Sequence, residues 1–175
     1  MTTKAKTIIG ISPGSRLIGF AIFAEGELLD WGVKTLKDIR PEDRHEKAKD
    51  IVLGLIERYG PDTITIKKLD TRRSSKGLLE LADSFKALCK KKGVPVDEYS
   101  INRLETLLSP KRKIDKDKIA ELMAEYNPVL FNDFEKAKPD LDEYGQDRHE
   151  NTRKYYLRVF EAVALAFVSF RQSDR

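Results

Sequence analysis

The chain has 175 residues, 40% of them hydrophobic and 35% charged, with 33 basic against 29 acidic side chains and a net charge of +4. That length fits one domain able to bury a core without disulfides or metal. A single cysteine, Cys89, excludes an internal disulfide, no apolar run approaches the ~20 residues of a membrane span, and the opening MTTKAK lacks a signal-peptide core, so a cytoplasmic protein without membrane contact is expected.

Thr7 to Phe23 (TIIGISPGSRLIGFAIF) writes a β-branched apolar run, a Pro13-Gly14 break and a second apolar run. This predicts an antiparallel hairpin whose first strand is buried on both faces. Gly10 and Gly19 leave two strand positions without a side chain, which predicts close approach of a helix or backbone. Glu25-Gly26 turns the chain into a third strand, Glu27 to Thr35. Pro41-Glu42-Asp43 opens a helix to about Tyr59, with Ala48, Ile51, Val52, Leu55 and Ile56 as its buried stripe and Gly60-Pro61 as its stop. Asp62 to Lys68 is a short β-branched strand between two helices, hence a parallel crossover.

A helix from about Ser75 to Lys92 follows, ended by Gly93. Cys89 falls on its apolar face with Leu78, Leu81, Ala82, Phe85 and Leu88, the setting of a core-filling thiol. Val94 to Ser100 reads as a fifth strand, confined to an edge by Pro95. Asn102 to Leu108 reads as a short helix or a loop, and Asp115 to Tyr126 as a helix ended by Asn127-Pro128. Asn132 to Asn151 mixes charges with Pro139 and Gly145 and shows no period, so a long loop insertion is expected around 132–150. The last helix, about Asn151 to Gln172, is apolar over most of its circumference after Val159 and belongs inside the domain. Arg158 and Glu161, three apart, share one of its edges.

Three stretches together resemble the RuvC-type Holliday-junction resolvases of the RNase H-like superfamily. They are Ile9 to Ser15 with Gly19 in the next strand, the segment PDTITIK, and LRVFEAVALAF near the end. The resemblance implies an α/β, RNase H-like fold, a five-stranded mixed sheet flanked by helices in one domain over 1–175. It also implies four acidic positions that hold catalytic magnesium. At the matching positions this chain carries Ser12, Lys67, Arg158 and Glu161, so one carboxylate survives and two substitutions reverse the sign of charge. Hard cations are held by oxygen anions, and a lysine or arginine aimed at such a site repels them. No Asp or Glu occurs between Met1 and Phe23, while Asp147 and Glu150 precede Glu161 by 14 and 11 residues, roughly 16 to 20 Å along a helix. No catalytic residue, metal or cofactor is therefore expected. A nucleophilic Ser12 would need a base, and His45 and His149 stand isolated in charged surroundings. Lys67 is expected to take the lost metal's place by pairing with Glu161, with Ser12 adding a hydrogen bond and Arg158 either joining or turning to solvent. Each residue taken alone also reads as a plain turn hydroxyl, strand-end lysine or helix-surface group.

Basic residues concentrate at Lys67 to Lys76, Lys90 to Lys92, Pro110 to Lys118 and Arg153 to Arg158. Arg72, Arg73, Lys76, Lys111, Arg112, Lys113, Lys116 and Lys118 are the candidate phosphate contacts. Each cluster by itself reads as a solvated face. The expected function is a catalytically degenerate protein that binds branched or double-stranded nucleic acid, DNA foremost, or a nucleic-acid-processing partner, without cutting. Two alternatives stay open: an active magnesium-dependent junction endonuclease with a rearranged site, and a structural interaction module. The resemblance further implies a homodimer gripping a four-way junction.

Overall fold

The computed structural model describes residues 6–173. Strand β1 (Thr7–Ser12) pairs antiparallel with β2 (Leu17–Ala24), from Thr7 opposite Ala24 to Ser12 opposite Gly19. The turn into β3 (Glu27–Thr35) places both Glu25 and Gly26 at positive φ, 56° and 85°, a geometry whose twist suits a two-residue hairpin. A 3₁₀ turn at Pro41–Asp43 leads into α1 (Arg44–Tyr59), which Gly60 ends in the left-handed conformation. Strand β4 (Thr63–Lys67) then returns parallel to β1. Helix α2 (Lys76–Lys91) is capped by the Ser75 hydroxyl, and β5 (Val96–Tyr99) lies parallel to β4. The order β3-β2-β1-β4-β5 is the five-stranded mixed sheet expected, with the strand after Pro95 at its edge.

The rest of the chain is helical: α3 (Ile101–Leu108), α4 (Lys116–Tyr126), α5 (Phe131–Ala137) and α6 (Glu150–Ser173). The segment left open between short helix and loop is α3, because the Ser100 hydroxyl accepts from Arg103 N and Leu104 supplies a buried anchor. The long loop expected from Asn132 to Asn151 requires correction. Its first part is α5, held by Trp31 Nε1 donating to Asp133 at 2.7 Å and by Phe134 meeting Phe160 edge-on. Two turns are too short to write a readable hydrophobic period. Residues 138–149 remain irregular, organised by the Asp142 carboxylate, which accepts from Tyr144 N and Gln146 N. No helix among the described residues is long and apolar enough to cross a membrane.

Alternation along the strands creates two cores. Ile9, Ile11, Ile18, Phe20, Ile22, Ile64 and Ile66 face α1 and α2, where Val52, Ile56, Phe85 and Cys89 close over them. The opposite parity, with Ile8, Ala21 and Phe23, faces α6. Helix α6 is buried continuously over 159–166, which only a helix enclosed by other elements tolerates. It lies so close to the sheet that a methyl added to Gly10 would overlap the Ala162 carbonyl, and one on Gly19 would sit 2.5 Å from the Arg158 carbonyl. Both obstacles are backbone, so neither can move aside. Gly10→Ala is expected to lower stability by about 3 kcal/mol. Gly54→Ala, on the exposed side of α1 with nothing near its Cβ, should raise it by about 1 kcal/mol. Urea unfolding of the two variants measures both.

Candidate functional site

Strands β1 and β4 are adjacent and parallel, with Ile11 aligned to Ile66. Ile11 and Ile66 face α1 and α2, so the next residues, Ser12 and Lys67, emerge on the α6 face. The glycine-permitted approach of α6 brings Glu161 onto them. Glu161 is only 5% exposed, an unusual place for a carboxylate unless it is paired. Its Oε2 accepts from Ser12 Oγ at 2.8 Å and from Lys67 Nζ at 2.9 Å, and its Oε1 lies 3.1 Å from Lys116 Nζ. Arg158 Nη1 stands 3.9 Å from Oε2 and donates to Ser12 Oγ at 3.4 Å and to the Pro13 carbonyl at 3.3 Å. The Lys67–Glu161 pair expected from the sequence is thus present. Arg158 joins the cluster and does not turn away. Lys116, grouped by sequence with the phosphate contacts, is drawn into the site as a third cation. Nothing local in the sequence ties α4 to Glu161, so that contact becomes visible only when α4 packs on α6.

Burial would push the Glu161 carboxyl up, but Lys67, Lys116 and Arg158, together with the Lys67 hydrogen bond, hold it at about 2. Burial pushes the Lys67 ammonium below the ordinary lysine value; Glu161 pulls it back in part, while Lys116 and Arg158 repel it. The two directions have one cause. A single carboxylate is shared by three cations, so it is over-satisfied while each cation holds only a fraction of its charge.

This donor set does not fit a divalent metal. Lone pairs of the single carboxylate are taken by Ser12, Lys67 and Lys116, and among the described residues no group of three or more His, Cys, Asp or Glu is placed to hold an ion. Nor does Ser12 have a base. Its hydroxyl donates to Glu161, and a carboxylate held near 2 has little proton affinity at neutral pH.

The other sequence candidates are dispersed. Cys89 is buried and its thiol is pushed up to about 11 by burial. His45 meets Ser84 at 2.7 Å and His149 lies 3.4 Å from Asp140. Asp147 and Glu150 engage Arg153 at 3.9 Å and Lys154 at 2.8 Å. Arg72 and Arg73, in the turn after β4, flank Asp70 at 3.5 and 3.8 Å. Lys76 faces Glu80 at 3.9 Å and Lys118 faces Glu121 at 2.9 Å. Lys111, Arg112 and Lys113 are exposed and line an open cavity of about 260 Å³ between α3 and α4.

Arg16, not singled out from the sequence, and Lys154, noted only as part of the basic stretch Arg153 to Arg158, also belong here. Arg16 and Lys154, with Lys116, Arg158 and Glu161, line a cavity of about 230 Å³ beside the cluster. Their signals were present but weak: Arg16 directly follows Pro13-Gly14-Ser15, and Lys154 lies one helical turn before Arg158.

Residues 8–131 match the family model described as crossover junction endodeoxyribonuclease RuvC. A crossover junction endodeoxyribonuclease RuvC of Oleidesulfovibrio alaskensis is 27% identical over 135 residues, covering 71% of this chain and 79% of the relative. Among solved structures, Thermus thermophilus RuvC resembles the chain with a TM-score of 0.68 at 17% identity, over 96% of this chain and 95% of that one. T. thermophilus RuvC in complex with Holliday junction substrate gives 0.66 at 17% identity, over 97% and 95%. The family model stops before α6, whereas the likeness of fold takes in almost the whole chain.

The charge cluster has a pH signature. Because the folded Glu161 carboxyl titrates at about 2 and the ordinary value is 4.5, its contribution to stability, roughly 3 kcal/mol, is complete above the higher value and lost as pH falls toward the lower. The stability advantage of the wild type over Glu161→Gln should therefore be constant at pH 5 to 7 and shrink steadily between pH 4.5 and 2, as read by urea unfolding. At neutral pH, Lys67→Ala should cost about 1 to 2 kcal/mol. In a double-mutant cycle with Glu161→Ala the losses should be clearly less than additive.

Proposed function

The chain belongs to the RuvC family of crossover junction endodeoxyribonucleases, and from that premise we propose that it binds branched or double-stranded DNA without cutting it. The observation that carries this reading is the occupation of the Glu161 carboxylate by Lys67, Lys116 and Arg158. Two unit charges about 4 Å apart near a protein surface interact by about 4 kcal/mol, and a divalent ion doubles that figure against each cation. One carboxylate does not offset three such repulsions. Metal-assisted attack of water on a phosphodiester needs the opposite sign of field.

DNA as the ligand is supported by the family and by the T. thermophilus RuvC structure with Holliday junction substrate. It is also supported by the placement of basic groups. Arg72, Arg73 and Lys76 follow the end of β4, while Lys111, Arg112, Lys113 and Lys118 surround the α3–α4 connection, whose far end reaches the site through Lys116. Such contacts set position on a duplex without reading sequence. An active endonuclease, as the curated relatives are named, would need further carboxylates at Glu161.

In a test with labelled four-way junction and either magnesium or manganese, the strands should stay intact while binding weakens steeply with salt. Specific cleavage that disappears in Glu161→Gln would overturn the non-cutting reading. Replacing Lys111, Arg112 and Lys113 with Ala should weaken junction binding about tenfold and flatten its salt dependence. An unchanged affinity and slope would remove that surface from the interface.

A further inference from the structure

The cluster around Glu161 carries more positive charge than it needs. Three cations meet one carboxylate, and the adjoining 230 Å³ cavity adds Arg16, which makes no ion pair among the described residues, and Lys154, whose charge is shared with Glu150. The excess is not spread evenly. Ser12, buried, and Lys67, its side chain 15% exposed, hold Oε2 from the sheet side, whereas Lys116 reaches Oε1 from the solvent side with half of its side chain exposed. Lys116 can therefore turn toward a second anion while Lys67 keeps Glu161 neutralised.

Arg158 is fixed differently. Its Nη1 is anchored on Ser12 Oγ and the Pro13 carbonyl, and its guanidinium lies against Gly14, where a Cβ would meet Nη2 at 3.3 Å. Of five guanidinium N–H donors these contacts engage few, so a forked donor is held ready at the cavity wall. Planar, anchored guanidinium plus mobile ammonium groups is the donor chemistry that suits a tetrahedral oxyanion.

We propose that this cavity is a metal-independent phosphate-binding site, in which Arg158, Lys116 and Arg16 hold a phosphate group that the Glu161 cluster is unable to reach through a metal ion. The site rests on the non-cutting reading above and specifies how it works: the protein's own cations take over the role of holding a phosphate and leave out the role of activating water. Free phosphate and the backbone of DNA present the same chemistry to it.

The probe is inorganic phosphate in excess EDTA, compared with chloride at equal ionic strength, followed by thermal melting and by the phosphorus NMR signal. Phosphate should raise the melting temperature saturably, through binding to the folded state, and magnesium should not be needed. Arg16→Ala, a surface change that leaves the fold alone, and Arg158→Gln should each weaken that binding several-fold. In a second arm, the same variants should lower the salt slope of four-way-junction binding by about one. No saturable phosphate effect, an effect that requires magnesium, or one unchanged in both variants would overturn the site. Saturable phosphate binding with an unaltered junction slope assigns the site to free phosphate. Phosphate binding by a protein that binds no DNA keeps the site and refutes the DNA reading instead.

Discussion

Helix α6 can lie against the first two strands only because Gly10 and Gly19 present no side chain, and because Ala162 and Ala166 keep the facing helix surface thin. Close packing of this kind has few solutions. The helix cannot slide by a residue without driving a larger side chain into the strand backbone. Its azimuth and height are thereby set, and with them the positions of Arg158 and Glu161 over the ends of β1 and β4. The polar cluster is thus a consequence of an apolar constraint beside it, since Gly10 lies two residues before Ser12 and Ala162 directly follows Glu161.

A buried ion pair is not, in itself, a stabilising device. Removing two charges from water costs several kcal/mol per ion, and the return depends on complete pairing. In this protein the return is lopsided. Glu161 receives a hydroxyl and up to three cations, while Lys67 and Lys116 divide one partner between them and Arg158 leans on Ser12 and the Pro13 carbonyl. Three cations around one carboxylate leave an excess of positive charge, on a strand framework similar to that of T. thermophilus RuvC. The proposed non-cutting function would thus differ from the activity its relatives are named for at a handful of side chains and not in the fold.

Legibility from the sequence followed the range of the forces involved. The hairpin, the crossover strand, and helices α1, α2 and α4 are written by short-range patterns: β-branched runs, three-four spacing, Gly and Pro stops. Helix α5 was not legible because Asp133 and Phe134 gain their partners, Trp31 and Phe160, from other parts of the chain. In the site, Ser12, Lys67, Arg158 and Glu161 were found through stretches that resemble a family. The contact of Lys116 with Glu161 was not legible, because a lysine in a basic run looks the same whether it faces solvent or a buried carboxylate.

The antiparallel hairpin, the strand set between two helices and the apolar circumference of the last helix pointed by themselves to a mixed sheet and a buried final helix, since turns, breaks and apolar spacing are local properties. Reversal of charge at two of four positions was readable once the resemblance to the family supplied those positions. Which cations would share Glu161, that Arg158 would be anchored by Ser12 and the Pro13 carbonyl, and that Arg16 and Lys154 would border the same cavity were decided only by the tertiary structure. Electrostatic partnership depends on distances of a few ångströms between segments far apart in the chain, and no pattern within any one segment encodes such a distance.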